Sequence, residues 1–163
     1  MLNDETNNEW FVWFENGKVL VREMVANKLK DIDKALFSKG LSLKVFQGYR
    51  SLKEQIDRFN EVCKKLQDGK MTEEELFEKA HNFIAVPKFA GHPTGGAVDV
   101  GIVTKATGKL LDFGCEYCDV ENPDILALSP FINDKAKENR KLLRDLMLNY
   151  EFAPFNGEWW HFS

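Results

Sequence analysis

With 163 residues, 44% of them hydrophobic and 29% charged, the chain has an ordinary globular composition and is long enough to bury a sizeable core as one domain. A formal net charge of −4 argues against a nucleic-acid partner and makes no case for an anionic membrane surface. No apolar run approaches the length of a membrane span, and the acidic, polar start from Met1 to Thr6 is not a signal peptide; a cytoplasmic protein is expected, or an exported one whose leader has been removed.

Trp10 to Phe14 is an aromatic run that reads as a strand or a flap on the core, followed by the turn signal Asn16-Gly17. From Val19 to about Ser38, Val21, Val25, Leu29, Ile32 and Leu36 recur at three or four residues, which predicts an amphipathic helix ended by Gly40. Leu41, Leu43 and Val45 alternate with Ser42 and Lys44, predicting a strand that leads into Gly48-Tyr49-Arg50. Ser51 to Glu54 is a capping-box pattern opening the next helix, with Ile56, Phe59, Cys63 and Leu66 on its buried face. Arg50 therefore falls where a strand stops and a helix begins, a common place for site residues and one where a guanidinium can bind a carboxylate or an oxyanion, although on the residues alone a surface ion pair is the expected role.

Thr72 to Glu75 is a second capping-box signal, for a short helix through about Ile84 that carries His81, which has no partner in sequence and reads as structural. Ala97 to Ile102 predicts a short strand with Val98, Val100 and Ile102 on one face and Ala97, Asp99 and Gly101 on the other. Thr104 to Gly108 is a turn returning through Lys109 to Leu111, and the stretch from Asp112 to Pro130 has no clear period. Three cysteines make no disulfide framework; Cys115 and Cys118 form a lone C-x-x-C without the partners that a structural zinc or a thioredoxin motif needs. Asn133-Asp134 precedes a last helix, Lys135 to Asn149, with Leu142, Leu143, Leu146 and Met147 facing the core. Strands are expected at Glu151 to Ala153 and Glu158 to Ser163.

The chemistry gathers in two stretches. Ala90-Gly91-His92-Pro93-Thr94-Gly95-Gly96-Ala97-Val98-Asp99 sets a histidine and an aspartate seven apart, with glycines that permit a tight turn and close approach. Glu158-Trp159-Trp160-His161 sets a second acid and a second histidine three apart. Read singly, His92 caps a loop and His161 is a satisfied core histidine. Read as pairs, His92, Asp99 and His161 make a three-ligand zinc set with one position open, and Glu158 is left over to take a proton from water. On a strand Glu158 and His161 would point to opposite faces, so either Glu158 lies in the turn just before the strand or the backbone bulges.

These motifs resemble the zinc D-alanyl-D-alanine dipeptidases of the VanX type, in the wider group of D,D-carboxypeptidases and hedgehog-like folds. The family pattern, G-Y-R, then S-x-H-x-x-G-x-A-x-D, then E-x-x-H, falls here on Gly48-Tyr49-Arg50, on Ala90 to Asp99 and on Glu158 to His161, in matching order from about Val19 to the end. The E-W-W-H form is closer to the dipeptidases. The resemblance implies an α+β fold with helices on one side of a small, mostly antiparallel sheet, a single zinc peptidase domain over residues 1–163, a zinc ion, and Arg50 as the group that stabilises the tetrahedral intermediate. It also implies an acid that holds the free amine of the dipeptide, and a count without gaps from Asp99 puts Cys118 there, with Asp119 beside it. Ala90 replaces the family serine.

The expected function is hydrolysis of D-Ala-D-Ala or a similar small dipeptide, with Glu158 and Arg50 catalytic. The alternatives are a D,D- or L,D-carboxypeptidase acting on peptidoglycan stem peptides, and a zinc-containing binding module without catalysis. Glu158 and Arg50 argue against the last, since a structural site needs neither.

Overall fold

The computed structural model describes residues 11–14, 19–81 and 83–163, so Trp10 and the Asn16-Gly17 turn lie outside the described residues. Strand β1 (Phe11–Phe14) pairs antiparallel with β2 (Val19–Arg22), and a second antiparallel sheet has the order β3 (Leu41–Gln47), β4 (Val98–Thr104), β5 (His161–Phe162). The helices are α1 (Glu23–Phe37), α2 (Leu52–Leu66), α3 (Glu73–His81) and α4 (Asp134–Asn149). The architecture is α+β, as expected.

The predicted helix from Val19 divides in two. Val19 and Val21 are β-branched, alternate with Leu20 and Arg22, and bury their side chains from the strand β2; the chain becomes helical only at Glu23. Val21 fits the helical spacing of Val25 and Leu29 while lying on the strand, which is why periodicity alone ran the two together. Gly40, at φ +68°, closes the segment after α1 in the left-handed region that favours glycine.

One face of the β3-β4-β5 sheet is the floor of the core. Val98, Val100 and Ile102 of β4, Leu43 and Val45 of β3, and Phe162 of β5 meet Leu29, Ile32 and Leu36 of α1 and Leu143 and Met147 of α4. Each such side chain contributes on the order of 1.5–3 kcal/mol by leaving water. Asp99 and Gly101 alternate onto the opposite face, and Asp99 lies directly across from His161 in the ladder.

A β-bulge interrupts the β3–β4 pairing: Val45 opposes Val100 and Gln47 opposes Asp99, leaving Phe46 as the extra residue. Phe46 lies over Gly101, where an added Cβ would come within 2.9 Å of its ring. Phe46 thus joins the Asp99 face, which strict alternation from the buried Val45 would also give it, and the bulge keeps Gln47 in line with Asp99 as well.

The helix starts follow their caps. Ser51 Oγ accepts from Glu54 N–H at 3.1 Å, and Thr72 and Glu75 exchange both bonds of a capping box. On α2 Phe59 is buried and Cys63 and Leu66 are half-buried, as expected, but Ile56 is exposed and Gln55 takes the inward place in the first turn. Helix α3 stops at His81, short of the expected Ile84, and His81 is exposed.

The stretch from Asp112 to Pro130 is irregular apart from a 3-10 turn at Pro123–Ile125. Buried Arg140 of α4 secures it, donating to the carbonyls of Phe113, Leu126 and Asp124 at 2.6–2.7 Å. At the C-terminal end, only His161–Phe162 is a strand. Glu151 sits in a turn at φ +64°, and both Trp159 and Trp160 are buried, at 3% and 1% exposure; a strand would turn one of two neighbouring tryptophans outward, so burying both bends the chain instead. Glu158 accordingly lies before the strand, the first of the two expected arrangements. Cys63, Cys115 and Cys118 are free thiols. Among the described residues no helix is long and apolar enough to cross a membrane.

Candidate metal centre

The centre is assembled from three pieces of chain. His92 opens a 3-10 turn, His92–Thr94, that ends at Gly95 with φ +70°; Asp99 stands on β4; His161 stands on β5. At Gly95 a Cβ would also lie 2.4 Å from the Phe11 ring, so glycine is required there twice over. The structure brings the three side chains together, with one ligand atom from each lying within 4.8 Å of the others. His92 Nε2 is 3.3 Å and His161 Nδ1 3.0 Å from the same oxygen, Asp99 Oδ1. His92 and Asp99 are buried and His161 is half-buried.

Hydrogen bonding decides what this cluster accepts. The backbone carbonyl of Gly48 can only accept, so the 2.7 Å contact to His92 Nδ1 means that this nitrogen carries the proton. With Nδ1 so engaged, His92 turns Nε2 toward a carboxylate oxygen 3.3 Å away. Two lone pairs so placed repel unless a cation, a proton or a metal ion, lies between them. The donor set, two imidazoles and one carboxylate with the outer nitrogen of one ring tied to a carbonyl, fits zinc. Burial alone would raise the Asp99 carboxyl, but hydrogen bonds and charge from His161 and His92 hold it well below the usual carboxylate range.

Glu158 Oε2 is 3.9 Å from His161 Nδ1. Its burial, and then the charge of Asp99, push its carboxyl up to about 7, against the opposing pull of His161, Arg50 and a hydrogen bond with Trp160. A carboxyl poised there can both take and return a proton near neutral pH.

Arg50 is buried where β3 gives way to α2, and its backbone N–H donates to the His92 carbonyl at 3.3 Å. Its guanidinium is held by two neutral carboxamides: Nη1 donates to Gln55 Oε1 at 2.7 Å and Nη2 to Gln47 Oε1 at 2.6 Å, and Gln55 in turn donates to the Ala85 carbonyl at 2.8 Å. Burial and then the nearby Arg58 lower its pKa, with Asp99 and Glu54 opposing. Because neither partner is an anion, the positive charge of Arg50 is oriented without being neutralised.

Three participants escaped the sequence reading. Gln55 carries a signal that could have found it, a polar residue four before Phe59 on a buried stripe. Gln47 becomes visible only with the bulge. Tyr117, from the irregular stretch, donates its hydroxyl to Asp99 Oδ2 at 3.1 Å, and burial followed by the charge of Asp99 raises its pKa, so it stays a donor. Cys118 is exposed, at φ +63°, close enough to the centre for its thiol to feel the charges of Asp99, Glu158 and Arg50.

The D-ala-D-ala dipeptidase family profile matches residues 10–163. A D-alanyl-D-alanine dipeptidase of Enterococcus faecalis is 23% identical over 155 residues, covering 92% of this chain and 75% of the relative. One of Streptomyces coelicolor is 26% identical over 132 residues, covering 76% and 62%. Among solved structures, VanYB in complex with D-alanine-D-alanine superposes with a TM-score of 0.62 at 18% identity, covering 94% of this chain and 75% of that one. The vancomycin resistance D,D-dipeptidase VanXYg, in complex with a D-Ala-D-Ala phosphinate analogue, gives 0.57 at 24% identity, covering 98% and 57%. The structural likenesses establish a shared fold.

Proposed function

The chain belongs to the D-ala-D-ala dipeptidase family of peptidases, and on that premise we propose that it is a zinc-dependent peptidase hydrolysing D-Ala-D-Ala or a similar small dipeptide. The observation that carries this reading is the convergence of His92, Asp99 and His161 on one point, with Glu158 alongside and the Arg50 guanidinium held nearby. His92, Asp99 and His161 would hold the ion. When bound there, zinc supplies a Lewis acid that polarises the scissile carbonyl and acidifies a water. Glu158 takes the proton of the attacking water and passes it to the leaving amine; its raised pKa suits both directions. Arg50 faces the negative charge that develops on the carbonyl oxygen, pre-oriented by Gln47 and Gln55, so that little reorganisation is needed as that charge grows.

The test is release of free D-alanine from D-Ala-D-Ala by protein of known zinc content, with and without a zinc chelator. Chelator-sensitive release is the expected result. Zinc-loaded protein that leaves the dipeptide intact would overturn the dipeptidase reading.

One observation favours a second reading. The residue that the family resemblance aligns with an amine-holding acid is the neutral thiol Cys118, exposed beside the centre. A longer peptide presents an uncharged amide at that point and needs no such acid. Trimming of peptidoglycan stem peptides is therefore the activity to assay if the dipeptide is refused.

A further inference from the structure

Neither the ligand set nor the acid–base pair accounts for Tyr117, whose hydroxyl reaches 3.1 Å into a carboxylate that is almost fully buried. We propose that Tyr117 is a positioning residue: it engages one oxygen of Asp99 so that only the other is presented to the metal, and thereby sets the affinity of the centre. The inference rests on the zinc reading above.

The two oxygens of Asp99 are used differently. Oδ1 faces His161 Nδ1 and His92 Nε2 at 3.0 and 3.3 Å, while Oδ2 accepts from Tyr117. A carboxylate with both oxygens free can rotate to offer two atoms to a cation; with Oδ2 engaged in a hydrogen bond, that rotation costs the bond. Outer partners of this kind fix the orientation of metal ligands and raise their affinity.

The ring that carries the hydroxyl is itself fixed. Tyr117 stacks on Phe46 with centroids 4.3 Å apart at 11°, and meets Trp160 edge-on at 5.4 Å and 79°. Phe46 can lie there because Gly101 leaves the sheet surface bare beneath it. Trp160 precedes His161 directly. Thus the support for Tyr117 comes from all three strands of the sheet: Phe46 from β3, Gly101 from β4, and the residue that leads into β5. Such a support aims a hydroxyl; a ring serving only as core filling has no need of one pointed at a buried carboxylate.

The experiment compares zinc affinity, by competition with a chromophoric chelator, in the full chain and its Tyr117→Phe variant, and records the visible spectrum of each loaded with cobalt(II). Phenylalanine keeps the stack on Phe46 and removes only the hydroxyl. Zinc affinity is expected to fall roughly 10- to 100-fold, and the cobalt absorption to weaken as the freed carboxylate contributes a second oxygen and the coordination number rises. Tyr117→Leu, which removes ring and hydroxyl together, should lose no more affinity than Tyr117→Phe. If Tyr117→Phe binds zinc as tightly as the parent chain, or if only Tyr117→Leu is impaired, the hydroxyl does no positioning and the inference is wrong while the zinc reading stands. If the parent chain itself takes up no zinc, both fall together.

Discussion

Glu158 lies 3.9 Å from His161 but outside the set of three candidate ligands. On the proposed reading, replacing it with alanine removes the proton carrier and leaves His92, Asp99 and His161 in place. Turnover should fall by roughly 10²- to 10⁴-fold, the usual worth of a positioned acid–base group, with zinc content unchanged by metal analysis. Loss of zinc together with activity would instead reassign Glu158 as a ligand. The residues of this scale were legible in the sequence where each histidine had an acid close by, because the short connections His92 to Asp99 and Glu158 to His161 leave the chain few ways to part them. Tyr117 was not legible. Its meeting with Asp99 depends on an irregular stretch whose path is set by hydrogen bonds from Arg140, a residue of a distant helix.

Helix and strand boundaries place these side chains. Asn133 caps α4 by accepting from Ala136 N–H at 2.8 Å, and its amide also donates to Asp112 Oδ2 at 2.9 Å, joining the helix to the start of the irregular stretch. Asn133→Ala should lower stability by about 1 kcal/mol at neutral pH, as loss of an N-cap does, read from the denaturant midpoint. The pH dependence has a definite sign. The Asn133 amide, then the Gly114 N–H, hold the Asp112 carboxyl below its ordinary value, so its contribution is complete above the pKa of an unfolded aspartate and disappears as the pH falls through the depressed folded value. The destabilisation by Asn133→Ala should therefore shrink in acid; a penalty that stays constant with pH would show that Asp112 plays no part. Caps of this sort were readable in advance at Ser51 and Thr72, because capping is local; at α4 the expected start of Lys135 fell one residue late, so the cap at Asn133 was not singled out. The bulge at Phe46 and the inward turn of Gln55 were not, because each is selected by contacts across the sheet or across the helix packing and leaves the local pattern nearly unchanged.

Across the whole molecule, the three candidate ligands arrive from a turn and two strands that are separated in sequence and joined through the core sheet. Zinc bound to them should stabilise the folded chain by mass action, by about 2.7 kcal/mol at a hundredfold excess over its dissociation constant. For a chain of this size that is a rise of roughly 5–10 °C in the unfolding midpoint, reversed by chelator; a midpoint indifferent to zinc would mean that the folded chain offers it no site. Strands β3 and β4 were readable from alternation and helices α1 and α4 from periodicity; the structure packs both of these helices against one face of the sheet. The division of labour between the sheet's two faces follows from the same alternation, since Val98, Val100 and Ile102 bury one side and leave Asp99 on the other. One connection within this frame reaches further than geometry. His92 donates to the Gly48 carbonyl and accepts from the Arg50 N–H, so the histidine and the guanidinium hang on a single reciprocally bonded stretch of backbone. If binding at the three candidate ligands alters binding at Arg50 through that stretch, thermodynamic reciprocity requires the effect to be equal in both directions.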